Sequence, residues 1–95
     1  MSRIERIAKL IDISFKENAG FFYTAHARKR MVERHITVAD VENAYFTGHI
    51  IKVELESDTE IKFVWKGQDR DGEWIRLVMV YLVPDKTIII TVMGD

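Results

Sequence analysis

The chain has no cysteine, no long hydrophobic run and no excess of positive charge. Without cysteine there is no disulfide framework and no thiolate zinc site, a composition that suits a reducing cytoplasm. No apolar stretch approaches the ~20 residues of a membrane span, and the opening Met-Ser-Arg-Ile-Glu-Arg lacks the apolar centre of a secretory signal. A cytoplasmic protein with no membrane partner is therefore expected. The net charge of −1 stands against a long polyanion as ligand. What is present is 95 residues, 47% of them hydrophobic, enough for a single domain over residues 1–95 with one core and not for two.

The charge is unevenly placed. Residues 1–40 hold eight Lys/Arg against five Asp/Glu, a local +3, and residues 41–95 hold six against ten, a local −4. The +3 can be assigned wholly to residues 24–35. A concentrated basic patch on an otherwise acidic domain binds phosphate locally while steering a long polyanion poorly.

Periodicity orders the elements. Ser2 with Glu5 has the form of a capping box, and Ile4, Ile7, Ala8, Ile11 and Phe15 recur at helical spacing, which predicts a first helix over about 3–16. After Asn18-Ala19-Gly20 and the run Phe21, Phe22, Tyr23, Thr24 is a good N-cap for a second helix reaching about Arg34. Thr37 with Asp40 repeats the capping arrangement for a third and shortest helix, which Gly48 can end in the left-handed conformation. From Ile50 the period changes to two. Ile51, Val53 and Leu55, then Ile61, Phe63 and Trp65, alternate with charged residues as strands with one wet face. Trp74 to Val83 is apolar on both faces, as in the middle of a sheet, and after Pro84-Asp85 the stretch Thr87 to Met93 is a last strand. The expected fold is α+β: three N-terminal helices packed on a mostly antiparallel sheet of about four strands.

The second helix is the candidate functional surface. On a 3.6-residue period His26, Arg30 and Arg34 fall near one edge, beside a narrow apolar stripe of Ala27 and Met31. One imidazole and two guanidiniums facing one ligand suit a phosphodiester, since guanidinium grips phosphate oxygens in a bidentate fork and imidazole moves a proton near neutral pH. The competing reading is a solvated charged face, with Glu33 pairing Arg30. Arg28 and Lys29, around the other side, are weaker candidates for holding substrate. Arg76, alone among Trp74, Val78 and Val80, must snorkel, pair with a carboxylate such as Glu54 or Glu73, or face a polar pocket; a pocket shared with His26 would place it on the phosphate. Tyr81 falls on the opposite face of that strand. Trp65 and Trp74 are expected in the core rather than stacked on bases. Three scattered histidines lack the pairing a zinc site requires, so neither metal nor cofactor is expected.

The spacing H-A-x-x-R-M-x-x-R-x-I is met by His26, Ala27, Arg30, Met31, Arg34 and Ile36, and is followed by the capped helix at Thr37. With the closing Ile90-Thr91-Val92, this layout resembles the family called domain of unknown function 4258 over roughly residues 22–93. The resemblance adds Thr91 as a candidate substrate contact. More distantly, that family is similar to the RelE-like and BrnT-like ribonuclease toxins, which implies a RelE-like fold, a ribonuclease activity and an antitoxin protein as partner. The chain departs from the pattern at His35, where such sequences often have Gly; if that position is left-handed, His35 carries strain.

Two functions follow as expectations. One is a metal-independent endoribonuclease toxin of a toxin–antitoxin pair, acting on RNA at the ribosome or elsewhere, with His26 as acid or base and Arg30, Arg34 and Arg76 stabilising phosphate charge. The alternative is a non-catalytic module that docks a protein partner or RNA through the basic helix 26–34. A small structural domain working as a homo-oligomer is a third reading. The first needs His26 and Arg76 to converge in a cleft, whereas a binding face can be flat.

Overall fold

The caps read from the sequence begin three helices in the computed structural model, which describes residues 2–94. The Ser2 hydroxyl accepts from the Glu5 N–H at 3.1 Å and starts α1, Arg3–Asn18, two residues longer than the apolar periodicity predicts. Thr24 starts α2, Ala25–Glu33. Thr37 and Asp40 form a complete capping box at the head of α3, Val38–Thr47. With 9 residues against 10, α2 rather than α3 is the shortest helix.

Two corrections concern the sheet. A two-residue strand, β1 at Phe22–Tyr23, lies between α1 and α2, so the helices do not all precede the strands. The sheet has five strands and is mixed: β2 (His49–Glu56), β3 (Glu60–Gln68), β4 (Trp74–Leu82) and β5 (Lys86–Gly94) form an antiparallel meander, and β1 adds parallel to β5 in the order β1-β5-β4-β3-β2. Two residues are too few to show alternation, and Phe21 to Tyr23 reads as an aromatic lead-in. β4 occupies the middle of the sheet, as its two apolar faces predict.

Alternation assigns each strand residue to a face. Ile50, Trp65, Leu77 and Val92 face the helices, as do Phe63, Met79 and Ile89, and they form one hydrophobic cluster with Ile7 and Ile11 of α1, Ala27 and Met31 of α2, and Val41, Ala44 and Tyr45 of α3. The Trp65 indole N–H donates to the Ala44 carbonyl at 3.1 Å, satisfying the buried ring's one polar atom. Tyr81 also faces this core, opposite to Arg76.

Gly48 does not end α3 in the left-handed conformation; its φ and ψ of −114° and −164° are extended. Glycine is required there by close approach. A Cβ on Gly48 would lie 2.0 Å from the Lys66 carbonyl oxygen, and one on Gly67 would lie 1.9 Å from that of Ala44. α3 and the start of β2 thus press directly onto the backbone of β3. At its other end α1 is tied to the β4–β5 turn, where Ser14 Oγ and Asn18 Nδ2 each donate to the Asp85 carbonyl at 2.7 Å. No helix among the described residues is long and apolar enough to cross a membrane.

Candidate functional site

Thr24 fixes where α2 begins and what it lies against. Its hydroxyl oxygen accepts from the Ala27 N–H at 3.0 Å, capping the helix, and its O–H donates to the Ile90 carbonyl at 2.9 Å. Its backbone N–H donates to the Ile89 carbonyl at 3.1 Å. Ile90 is the extra residue of a bulge, since Ile89 pairs with Met79 and Thr91 with Val78. One threonine therefore sets both the start of α2 and its position on the irregular part of β5.

From that anchor the helix buries Ala27 and Met31, which leaves His26, Arg30 and Arg34 on successive turns along one edge. His26 and Arg34 are exposed and Arg30 is half-buried. The Arg34 guanidinium reaches the end of β5, where its Nη1 lies 3.0 Å from the position a Cβ on Gly94 would take. The helix stops at a Schellman turn: the Ile36 N–H donates to the Met31 carbonyl at 2.8 Å and the His35 N–H to that of Val32 at 3.3 Å. His35 sits at φ 57°, the left-handed position its place in the motif suggested.

Arg76 stands elsewhere. Gly94 pairs with Ile75, a core residue, so Arg34 lies toward the helical face, whereas Arg76, the next residue, points to the opposite face beside Lys66 and Met93. Thr91 shares the Arg76 face, across from Val78. The row on α2 and the pair Arg76 and Thr91 are thus separated by the β5 edge.

One surface depression lies beside α2 and another at the head of α3, and neither is lined by His26, Arg30, Arg34 or Arg76. The first, about 310 Å³, opens on the far side of the helix between Tyr23, Arg28, Met31, Val32 and Ile36. The Tyr23 hydroxyl is buried with no partner among the described residues. Burial pushes its pKa up to about 12, the Glu42 charge adds to this, and Arg28 opposes it. Arg28 therefore belongs to this depression rather than to the His26 row, and Lys29 is exposed on the outer surface of the helix. The second, about 290 Å³, is lined by Thr37, Asp40, Arg70 and Asp71. No group of three or more His, Asp or Glu among the described residues is placed to hold a metal ion.

The face of the sheet turned away from the helices carries what sequence reading missed. Cross-strand pairs place His49, Lys66, Arg76 and Met93 in one row and Lys52, Val64, Val78 and Thr91 in the next. A third row runs Leu55, Lys62, Val80, Ile88, Phe22, and Glu60, Leu82 and Lys86 close the face. Trp74, expected in the core, begins β4 on this face and is 46% exposed. The signal was present: Lys52, Lys62 and Lys66 alternate with apolar residues at period two, but the net −4 of residues 41–95 hid that the cations share one face.

No curated protein and no solved structure matches the chain. A family model does match, described as Domain of unknown function (DUF4258), over residues 23–94. That span runs from Tyr23 in β1 through the His26 row to the end of β5 and leaves α1, the turn after it and Phe22 outside, so the chain belongs to the DUF4258 family.

Proposed function

We propose that the protein is a metal-independent endoribonuclease of the toxin type, with a RelE-like arrangement of helices on a sheet, working in the cytoplasm and held silent by an antitoxin partner. The observation that carries this reading is the row itself. Thr24 holds the start of α2 against β5 and the Arg34 guanidinium passes close to Gly94 at the strand's end, so that one imidazole and two guanidiniums stand on consecutive turns along an accessible rim. In the reaction His26 takes the proton of a ribose 2′-hydroxyl. The 2′-oxygen attacks the adjacent phosphorus, the bond to the 5′-oxygen breaks, and that oxygen takes up a proton from the imidazolium or from water. Arg30 and Arg34 bind the equatorial oxygens as negative charge builds. Arg76, across the β5 edge, holds a neighbouring stretch of the same strand rather than the scissile phosphate.

One observation favours the second reading, a module that binds without cutting: His26 is exposed and neither described depression encloses it. Incubating a mixed RNA pool in EDTA with wild type, His26→Ala and Arg76→Ala separates the two. Cleavage by wild type that His26→Ala abolishes and Arg76→Ala only weakens, at unchanged melting temperature, supports the nuclease. RNA retained but never cut assigns the binding module.

A further inference from the structure

The chain carries a net charge of −1, yet among the described residues that cross-strand pairing places on the face of the sheet turned away from the helices, Lys52, Lys62, Lys66, Arg76 and Lys86 stand with Glu60. An acidic protein has thus sorted its strand cations onto one side, which electrostatics within the fold does not require, since like charges on one face repel. At the start of the central strand β4 and on the short edge strand β1 stand the exposed rings of Trp74 and Phe22, 46% and 43% exposed, each with an ammonium near its face: Lys66 Nζ at 5.5 Å and Lys86 Nζ at 5.4 Å. Between them Val64, Val78 and Val80 form an apolar floor shielded by the side chains around it.

We propose that this face is a platform for single-stranded RNA, with bases stacked on Trp74 and Phe22 and phosphates held by Lys86 beside Phe22 and by Lys62 and Lys52 on the β3–β2 side of the face. Cations alone would suit any polyanion. The rings narrow the choice, because a base offers a π-face only when it is not stacked inside a duplex, and an acidic peptide has none to offer. Six residues along β4 and two strand spacings separate the two rings, about 20 Å at the usual strand dimensions. That reach suits a tract of several nucleotides, within the ~4–16 that single-strand binding folds cover. The Thr91 hydroxyl lies on the same face, able to bond a 2′-hydroxyl. The proposal takes from the nuclease reading only that RNA is the ligand, and it places the body of the strand where the His26 row meets one end of it.

The test uses the protein's own fluorescence. Trp65 is buried and hydrogen-bonded while Trp74 is exposed, so an eight-nucleotide oligouridylate stacking on Trp74 quenches the exposed component, and Trp74→Phe loses that quench. The exposed pair Lys52→Glu and Lys86→Glu should weaken binding at least tenfold, and the slope of log affinity against log salt should fall by about 1.4 for two lost phosphate contacts. Far-UV circular dichroism confirms that the variants are folded. Unchanged affinity in both variants overturns the proposal, as does equal binding of a duplex or of polyglutamate; stronger binding of oligothymidylate than of oligouridylate would assign the face to DNA. Reading quench and cleavage separately in wild type distinguishes this from the nuclease reading: quench without cleavage keeps the platform and removes the nuclease, and cleavage with no quench does the reverse.

Discussion

Arg34 and Gly94 meet where α2 runs out beside the end of β5: a Cβ at Gly94 would stand 3.0 Å from the Arg34 Nη1. The neighbour there is the far end of a flexible side chain, so Gly94→Ala displaces the guanidinium without opening the fold. Stability should stay within about 0.5 kcal/mol of wild type. RNA cleavage or retention should fall several-fold, and Gly94→Ala should add little on top of Arg34→Ala. A double-mutant cycle in the activity assay reads this; additive effects would mean that Gly94 acts through something other than Arg34.

Gly67 offers the opposite case. Its Cβ would fall 1.9 Å from a backbone oxygen, that of Ala44, which cannot turn aside. Gly67→Ala forces α3 away from β3 and breaks the Trp65 bond to the same carbonyl. A loss of about 3 kcal/mol or more in urea unfolding is expected, at the upper end of overpacking costs.

Among the described residues, two that are not glycine occupy left-handed conformations, Ala19 at φ 53° and His35 at φ 57°. Each carries a Cβ that this conformation penalises by roughly 1–2 kcal/mol, part of which glycine returns as chain entropy on unfolding. Ala19→Gly and His35→Gly should each raise stability by about 0.5–1 kcal/mol, additively, in thermal or urea unfolding. If His35→Gly also lowers activity, the imidazole at that turn touches substrate and its strain is retained for that reason.

Asp40 governs the acid limb. Burial works to raise its pKa and is outweighed by the N–H groups of Thr37 and Arg70, the Thr37 hydroxyl and the Arg70 charge, which together hold the carboxyl below its ordinary value of 3.8. Oδ1 accepts from the Arg70 N–H at 3.0 Å and Oδ2 from that of Thr37 at 2.9 Å, so one carboxylate ties the head of α3 to the β3–β4 turn. A lowered folded pKa gives stability that is complete above the unfolded value near 4 and disappears as pH falls through the folded one. Wild type should therefore lose melting temperature below pH 4 more steeply than Asp40→Asn. At pH 7 the variant should be less stable by about 1–3 kcal/mol, and the two curves should converge in acid.

The helices were legible because their caps are local: Ser2, Thr24 and Thr37 each bond a backbone N–H three residues on, and that spacing is visible in the sequence. The left-handed turn at His35 was raised by the family resemblance, whose sequences often have Gly there, and not by the caps. β1 was not legible, because Phe22 and Tyr23 become a strand only through pairing with Ile88 and Ile89, a long-range relation that leaves no periodic trace. Gly48 showed that a residue type can be read correctly and explained wrongly; its glycine answers to the β3 backbone and not to its own torsions. The row on α2 followed from helical spacing alone. The side of the sheet on which Arg76 stands relative to that row depends on which face the helices cover, and Trp74 looked like core because its neighbours in sequence are apolar while its neighbours in space are Lys66 and Gln68.

The bond from Thr24 to Ile89 spans sixty-five residues. During synthesis α2 emerges long before the strand that anchors it, and until β5 is made neither the Thr24 clamp nor the Arg34 contact has anything to hold. An isolated nine-residue helix with two buried side chains is marginal in water. The basic row therefore acquires its geometry only after β5 has been translated, so a nascent chain lacks the arranged surface and the completed one gains it together with the rest of the sheet.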